Sequence, residues 1–280
     1  MSMAWLAPHK AFDADREAAA HGVPALGVAV RLEPDWPDSG RHTHQLGQLL
    51  YSAQGCMRIV LADRLVMLPP TRIAWIPPQT PHRTQMTRVT DYRSLYLDIL
   101  RYPGLPQQVQ VWTATELLQA VLERLAQLPF ATDWQDGPTS RLLQVAFDEL
   151  QRANSESMVL PLPSDRRLAS WLQALGTQVP PPLHVLAEQI GASSRTITRI
   201  FQRDTGMGYL QWRQQWRLMR AIELLTEPSS LQWVAHALDF STDAAFAGFF
   251  RQMTGLPPRS YMARRQLGVE QLSQGDEGAN

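Results

Sequence analysis

Hydrophobic and polar residues follow two different rhythms along the 280-residue chain. From 24 to 102 the apolar residues come in short runs rich in Val, Ile, Leu and Tyr: "ALGVAVRL", "QLGQLLYSA", "CMRIVLAD", "RLVMLPP", "RIAWIPP" and "DYRSLYLDI". Gly, Pro, Asp and Ser separate them, which predicts short strands at close spacing and hence a barrel or sandwich. "WPDSG" (36–40), "PPT" (69–71) and "PPQTP" (77–81) supply turns. After about residue 112 the period changes. "TATELLQAVLERLAQL" (113–128) and "TSRLLQVAFDELQRA" (139–153) place apolar residues at i, i+3, i+4 and i+7. These are two amphipathic helices, packed on each other or forming a dimer interface, and Thr113 or Thr115 is the candidate cap of the first. "NSESMVLPLPSD" (154–165), polar and then punctuated by proline, reads as a linker.

From 165 every signal is helical. "RRLASWLQALG" ends at Gly176, and "PPPLHVLAEQIG" starts after prolines and ends at Gly191. "YLQWRQQWRLMRAIELLTE" (209–227) is a long helix stopped by Pro228. "SLQWVAHALDF", "TDAAFAGFFRQMTG" and "PPRSYMARRQ" follow, and the last residues, 267–280, read as a frayed tail.

Composition adds limits. Hydrophobic residues make up 44% and charged residues 19%, an ordinary globular balance on a chain long enough for two cores. No run of about 18 uncharged apolar residues marks a membrane span, and the N-terminus lacks the basic start and apolar stretch of a secretory signal. Cys56 is the single cysteine, so no internal disulfide can form and a cytoplasmic location is expected. The net charge is zero but unevenly laid out. Residues 165–265 hold twelve arginines against seven acids, while residues 1–164 hold fourteen basic and sixteen acidic side chains. A basic C-terminal segment on a neutral chain points to a polyanion partner.

That segment contains a specific core. Leu186, Ala187 and Ile190 share one face of a first helix, Gly191 sits where a tight turn needs positive φ, and Ile197, Ile200 and Phe201 form the inner face of a second. This is a helix-turn-helix, whose second helix is free to enter a major groove. Its outward residues are Ser193, Ser194, Arg195, Thr198, Arg199 and Gln202. Arginine pairs bidentately with guanine, and Ser and Thr serve phosphates or bases. The pattern recurs. Val234, Ala235 and Leu238 repeat the first set at an offset of 48, and Phe246, Phe249 and Phe250 repeat the second at 49, with Asp239 in place of the glycine.

On "LAEQIGASSRTITRIFQRDTG", "WRLMRAIELL" and "FSTDAAFAGFFRQMTGLPPRSY", residues 165–265 resemble the DNA-binding domain of the AraC/XylS family of bacterial transcription regulators. The resemblance implies seven helices in two subdomains, promoter DNA as partner, and an N-terminal domain that senses a small molecule or dimerises. RNA polymerase is a further candidate partner, and a homodimer the expected assembly. This sequence departs from a strongly reading surface in its second unit, where the groove-facing positions are Asp243, Ala244, Ala247 and Gly248. Alanine can touch a thymine methyl but offers no hydrogen bond. The first unit is therefore expected to carry direct readout, and the second to hold phosphate through Thr242 and Arg251.

A second constellation lies in "RHTHQLGQLLYSAQG" (41–55). Histidines at i and i+2 on a strand point the same way. The spacing resembles the first cupin motif: His42, His44, then Gln48 where cupins usually carry glutamate, then Gly55. "PPQTPHRT" matches the second motif more loosely and adds His82. Together His42, His44, His82 and Gln48 make a candidate site for Zn, Fe, Ni or Mn, or a pocket in which the histidines bond an organic effector. Trp75, Tyr51, Tyr96 and Met57 are candidate pocket walls, and Cys56 reads as a packed thiol.

The expected fold is thus α+β and multidomain. It has an N-terminal cupin-like barrel sensor (1–112), dimerisation helices (113–153), a linker (154–164), and an all-α double helix-turn-helix domain (165–266). The expected function is effector-controlled, sequence-specific transcription regulation, not enzymatic. Two alternatives are a metal-dependent cupin enzyme with a helical appendage and a constitutive DNA binder without effector.

Overall fold

The computed structural model describes residues 22–32, 38–70, 72–86, 90–155, 159–226 and 229–261. The chain divides into two compact units, one made of residues 1–62 and 66–158, the other of residues 63–65 and 159–280. The tail expected at 267–280, part of the turn at 36–40 and part of the linker fall outside the described residues.

The first unit holds β1 (Ala25–Leu32), β2 (Gly47–Ser52), β3 (Met57–Val60), most of β4 (Arg64–Leu68), β5 (Arg72–Ile76), β6 (Arg83–Met86), β7 (Thr90–Leu97) and β8 (Gln110–Thr113). One sheet runs β1-β7-β2-β5-β8, and β6, β3 and β4 lie side by side in another. The register puts Leu49 opposite Trp75 and Leu95, and Gln48 opposite Ile76 and Tyr96. Because side chains alternate along a strand, the five-stranded sheet has two distinct faces. The odd-numbered face, with Leu49, Tyr51, Ile73, Trp75, Leu95 and Leu97, forms one apolar cluster with Leu118, Leu122, Leu125, Leu143 and Ala146.

The last five residues belong to α1 (Glu116–Ala126) and α2 (Gly137–Arg152), which pack on each other as well as on the sheet. Thr115, not Thr113, caps α1: its hydroxyl accepts from the Leu118 N–H, while Thr113 ends β8. Close contact of α1 with the sheet depends on Gly27, where a Cβ would lie 2.1 Å from the Leu125 carbonyl oxygen. The buried Arg93 of β7 clamps the same helix, its Nε donating to both oxygens of Glu123 at 2.9 and 2.8 Å.

From residue 159 the second unit runs through β9 (Val159–Pro161) and a 3-10 turn (Arg166–Leu168). It continues as α3 (Ala169–Leu175), α4 (Leu183–Ile190), α5 (Ser194–Thr205), α6 (Tyr209–Leu225), α7 (Leu231–Ala237) and α8 (Asp243–Thr254). Aromatic rings fill its core. Phe201 meets Tyr209 and Trp212 at ring-centre distances of 4.9 and 5.2 Å, and Phe246 meets Phe240 and Phe250 at 5.7 and 5.8 Å. The Trp212 indole N–H and the Tyr209 hydroxyl find the carbonyls of Pro161 and Pro181, so neither buried polar tip is left without a partner. No helix of the described residues is long and apolar enough to cross a membrane.

Candidate nucleic-acid interface and effector site

The α4–α5 pair is built as its spacing requires. Leu186, Ala187, Ile197, Ile200 and Phe201 are buried, and Gly191 takes a left-handed φ of 69° so that the chain can turn between the helices. In the α7–α8 pair Val234, Ala235, Leu238, Phe246 and Phe250 are buried in the matching places, with Phe249 half-buried. Asp239 holds the left-handed turn there with φ 57°, the same backbone shape without a glycine. Non-glycine residues rarely adopt this region, Asp and Asn being the tolerated ones.

The repeat extends to hydrogen bonds. Ser193 and Thr242 are N-caps at an offset of 49, accepting from Thr196 and Ala245 respectively. Thr205 and Thr254 close the two helices at the same offset, each hydroxyl donating back to a phenylalanine carbonyl. These closing threonines were not singled out from the sequence. The signal that finds them is their place before Gly206 and Gly255.

The outer face of α5 divides into occupied and unoccupied side chains. Ser193 spends its hydroxyl on the cap, Thr198 donates to the Ser194 carbonyl at 2.9 Å, and Gln202 donates to the Gly206 carbonyl at 2.9 Å. Ser194 is half-buried. Arg195 and Arg199, one turn apart, are exposed and have no partner among the described residues. On α8, Thr242 is the cap, the Asp243 carboxylate accepts from the Ala244 N–H, and Ala244 and Gly248 are exposed with no side-chain hydrogen-bonding group, Ala247 being half-buried. Arg251 is exposed and without a partner among the described residues.

Five of the ten described arginines between residues 159 and 261 are engaged within the fold. Arg167 and Arg203 pair with Asp165, Arg203 also with Asp204, and Arg220 with Glu223. Arg213 of α6 donates to the Pro180 carbonyl and pairs with Asp239. Arg217, one turn further on, donates to the carbonyls of Leu238 and Asp239 and lies 3.9 Å above the Phe240 ring centre. Burial, then the neighbouring Arg213 charge, pushes the Arg217 pKa down to about 10, still cationic at neutral pH. The two arginines thereby tie α6 to the second turn, and Arg213 ties it also to the segment before α4. Arg166, Arg195, Arg199, Arg251 and Arg259 are left without partners among the described residues.

In the first unit His42, His44 and His82 converge. Their ring centres are 4.5–4.9 Å apart, and one ligand nitrogen from each lies within 4.8 Å of the others. A paired bridge between the backbones of His42 and His82 brings the second cupin-like segment to the first. The Nδ1 atoms of His42 and His82 are held by the carbonyls of Gly40 and Thr80, both at 2.9 Å. A ring anchored through Nδ1–H presents Nε2 as a lone pair. The Nε2 atoms of His44 and His82 are buried without a partner. Burial, and for His44 the nearby His82 and His42, lowers the pKa of His44 to about 2. Burial lowers His82 to about 4, against the Thr80 hydrogen bond. Both rings are therefore neutral at pH 7. Buried, neutral, oriented nitrogens with nothing to bond fit a divalent transition metal.

Gln48 stands on the even-numbered face of the sheet. Its Nε2 donates towards Tyr92 Oη, Ser94 Oγ and Tyr96 Oη at 2.7, 2.8 and 3.1 Å, and its Oε1 is buried without a partner. The Tyr96 ring is 5.0 Å from that of His44, so the polar strip runs on to the histidines. Tyr92 and Ser94 were not singled out from the sequence, although Tyr92, Ser94 and Tyr96 at i, i+2 and i+4 of one strand are the signal for a polar inner face. Trp75 and Tyr51, expected among the pocket walls, belong to the opposite, helix-covered face. Met57 and Cys56 are buried, the thiol 3.1 Å from the Met67 sulfur. A separate open groove of about 510 Å³ lies outside the barrel, walled by Tyr102, Leu105, Trp112, Phe147 and Leu150 with Gln110 and Gln144.

The family model described as an AraC-like ligand binding domain matches residues 27–157, and one described as a helix-turn-helix domain matches residues 186–264. The HTH-type transcriptional regulator NimR of Escherichia coli is 27% identical over 247 residues, covering 87% of this chain and 89% of that protein. The HTH-type transcriptional regulator RipA of Corynebacterium glutamicum is 31% identical over 103 residues, 36% of this chain and 31% of that one. Among solved structures, ToxT from Vibrio cholerae is 11% identical and covers 85% of this chain and 95% of its own, with a TM-score of 0.34. The DNA-binding domain of AdpA in complex with a target DNA is 30% identical and covers 36% of this chain and 90% of its own, with a TM-score of 0.32.

Proposed function

The chain belongs to the AraC/XylS family of transcription regulators, and from that premise we propose how its own residues bind DNA and what its N-terminal domain senses. Helix α5 enters a major groove with Arg195 and Arg199 on base edges, and Ser193, Ser194, Thr198 and Gln202 beside them on phosphate or sugar. Helix α8 faces a second groove about one turn away. There Thr242 and Arg251 hold phosphate, while Asp243, Ala244 and Ala247 offer shape and few hydrogen bonds. One observation carries this reading: Arg195 and Arg199 are exposed, co-facial and unpaired, in a unit where Arg167, Arg203, Arg213, Arg217 and Arg220 are all engaged. A homodimer would bring four such units to one operator.

The test starts from duplexes selected out of a random pool by the full chain. Arg199→Ala should then weaken binding by about 1–3 kcal/mol and relax preference at one base position. Uniform weakening across all sequences would reassign Arg199 to phosphate.

In the N-terminal domain the ligand-binding site we favour is the three-histidine cluster, with His42, His44 and His82 holding a divalent Zn, Fe, Ni or Mn ion. Such an ion supplies a Lewis-acid anchor for an effector. The unpartnered Nε2 atoms support this reading. Metal content of the purified protein, measured by mass spectrometry beside His44→Ala, decides it: near one ion per chain, lost in the variant, is the expected result. The open groove walled by Tyr102, Trp112 and Phe147 supports a second reading, an organic effector held outside the barrel. No metal in either protein would move the search there.

A further inference from the structure

The donor set at the histidines is neutral. Metal-bound imidazole carries no charge, and Gln48 occupies the sequence position where the cupin motif usually carries glutamate. Among the described residues of the first unit the buried polar side chains are His44, Gln48, Ser52, Arg58, His82, Thr84, Arg93 and Ser94, with no carboxylate among them. A divalent ion held there keeps its whole charge out of water, which is costly unless an opposite charge enters with it.

The neighbouring strip is rich in donors. An amide NH2 has two hydrogens, while three hydroxyl oxygens lie within reach of the Gln48 Nε2. A hydroxyl that accepts from the amide keeps its own proton to give, and Ser94 has no acceptor among the described residues. With the amide turned over, the hydroxyls donate to Oε1 and the amide N–H groups are left instead. In either rotamer a donor remains for a ligand.

Resting on the three-histidine reading above, we propose that the metal and a small carboxylate bind together in the barrel. The carboxylate supplies the negative charge that Gln48 does not, with one oxygen towards the ion and the other towards the donors of Gln48 and Ser94. The sensor thus answers to two chemicals at once. By linkage, each raises the affinity of the other by the same factor.

The experiment titrates Co2+ into metal-free full-length protein in a non-coordinating buffer, followed by its visible absorption, with no addition, with acetate, or with acetamide. Acetate should tighten Co2+ binding by about tenfold or more and shift the absorption bands, and acetamide should do neither. His44→Ala should abolish Co2+ binding. Gln48→Glu builds the carboxylate in, so it should bind Co2+ tightly without acetate and lose the acetate response. If that variant does not fold by circular dichroism, the acetate and acetamide comparison on the native protein still decides. Tight Co2+ binding that ignores acetate overturns this inference and leaves the metal site standing. No Co2+ binding under any condition overturns the metal site itself, and the inference with it.

Discussion

The two helix-turn-helix units share a scaffold and differ in surface. At an offset of 49 the caps Ser193 and Thr242 correspond, as do the closing threonines Thr205 and Thr254 and the core residues Phe201 and Phe250. At the same offset Arg195 meets Ala244, Thr198 meets Ala247, and Arg199 meets Gly248. Groups that hold the backbone are repeated, and groups that would reach a base are not. The turns differ too. Gly191 adopts its left-handed shape freely, whereas Asp239 adopts it under a clamp from Arg213 and Arg217. A shared scaffold therefore says little about shared reading.

The comparison breaks first in the cores. Phe201→Ala and Phe250→Ala should each destabilise by about 3–5 kcal/mol, seen as matched losses in chemical denaturation; a loss confined to one would mean the units do not stand on equivalent cores. Next comes the clamp. Arg217→Met leaves the Leu238 and Asp239 carbonyls without their donor and should destabilise by about 1–3 kcal/mol. Hydrogen exchange should localise the opening to residues 231–242, with the first unit protected as before.

Gly248 sharpens the difference in surface. A Cβ there meets nothing within 4 Å, so Gly248→Ala should raise stability by about 1 kcal/mol. If α8 lies close against DNA the same change should weaken binding, so the melting temperature and the dissociation constant move in opposite senses. If both improve, the close approach is wrong. The smallest effect is at the turns. Gly191→Asp should destabilise by about 1 kcal/mol. Asp239→Gly should be neutral or stabilising by less than that, because it relieves the backbone and gives up one long ion pair, at 3.7 Å, whose carboxylate is mostly exposed. Equal losses at both turns would deny that Asp239 is the strained one.

Much of this molecule is local enough to be seen in one dimension. Helical spacing marks α4, α5, α7 and α8, and alignment of the repeat puts Asp239 where the glycine belongs, which its φ bears out. The long helix expected over 209–227 runs Tyr209–Leu225. The first sensor helix begins at Glu116, later than the expected 113, because Thr113 is drawn into β8 by pairing with Arg72. Period-2 alternation was also readable. It separates Tyr96 from Tyr51 and Trp75 only once the covered face of the sheet is known, and α1 and α2 decide that.

The sequence by itself determined the helices, six of the strand runs, the internal repeat and the outward faces of the recognition helices. Backbone sterics, side-chain period and capping act within a few residues and leave their marks there. Only the tertiary structure decided which arginines are left over and which polar groups meet. Arg217 finds carbonyls 21 and 22 residues away, and His82 reaches His42 across a strand bridge. Charge and hydrogen-bonding capacity can be counted along a chain. Whether they are spent inside the fold or kept for a partner depends on where the chain folds back, and no local pattern carries that information.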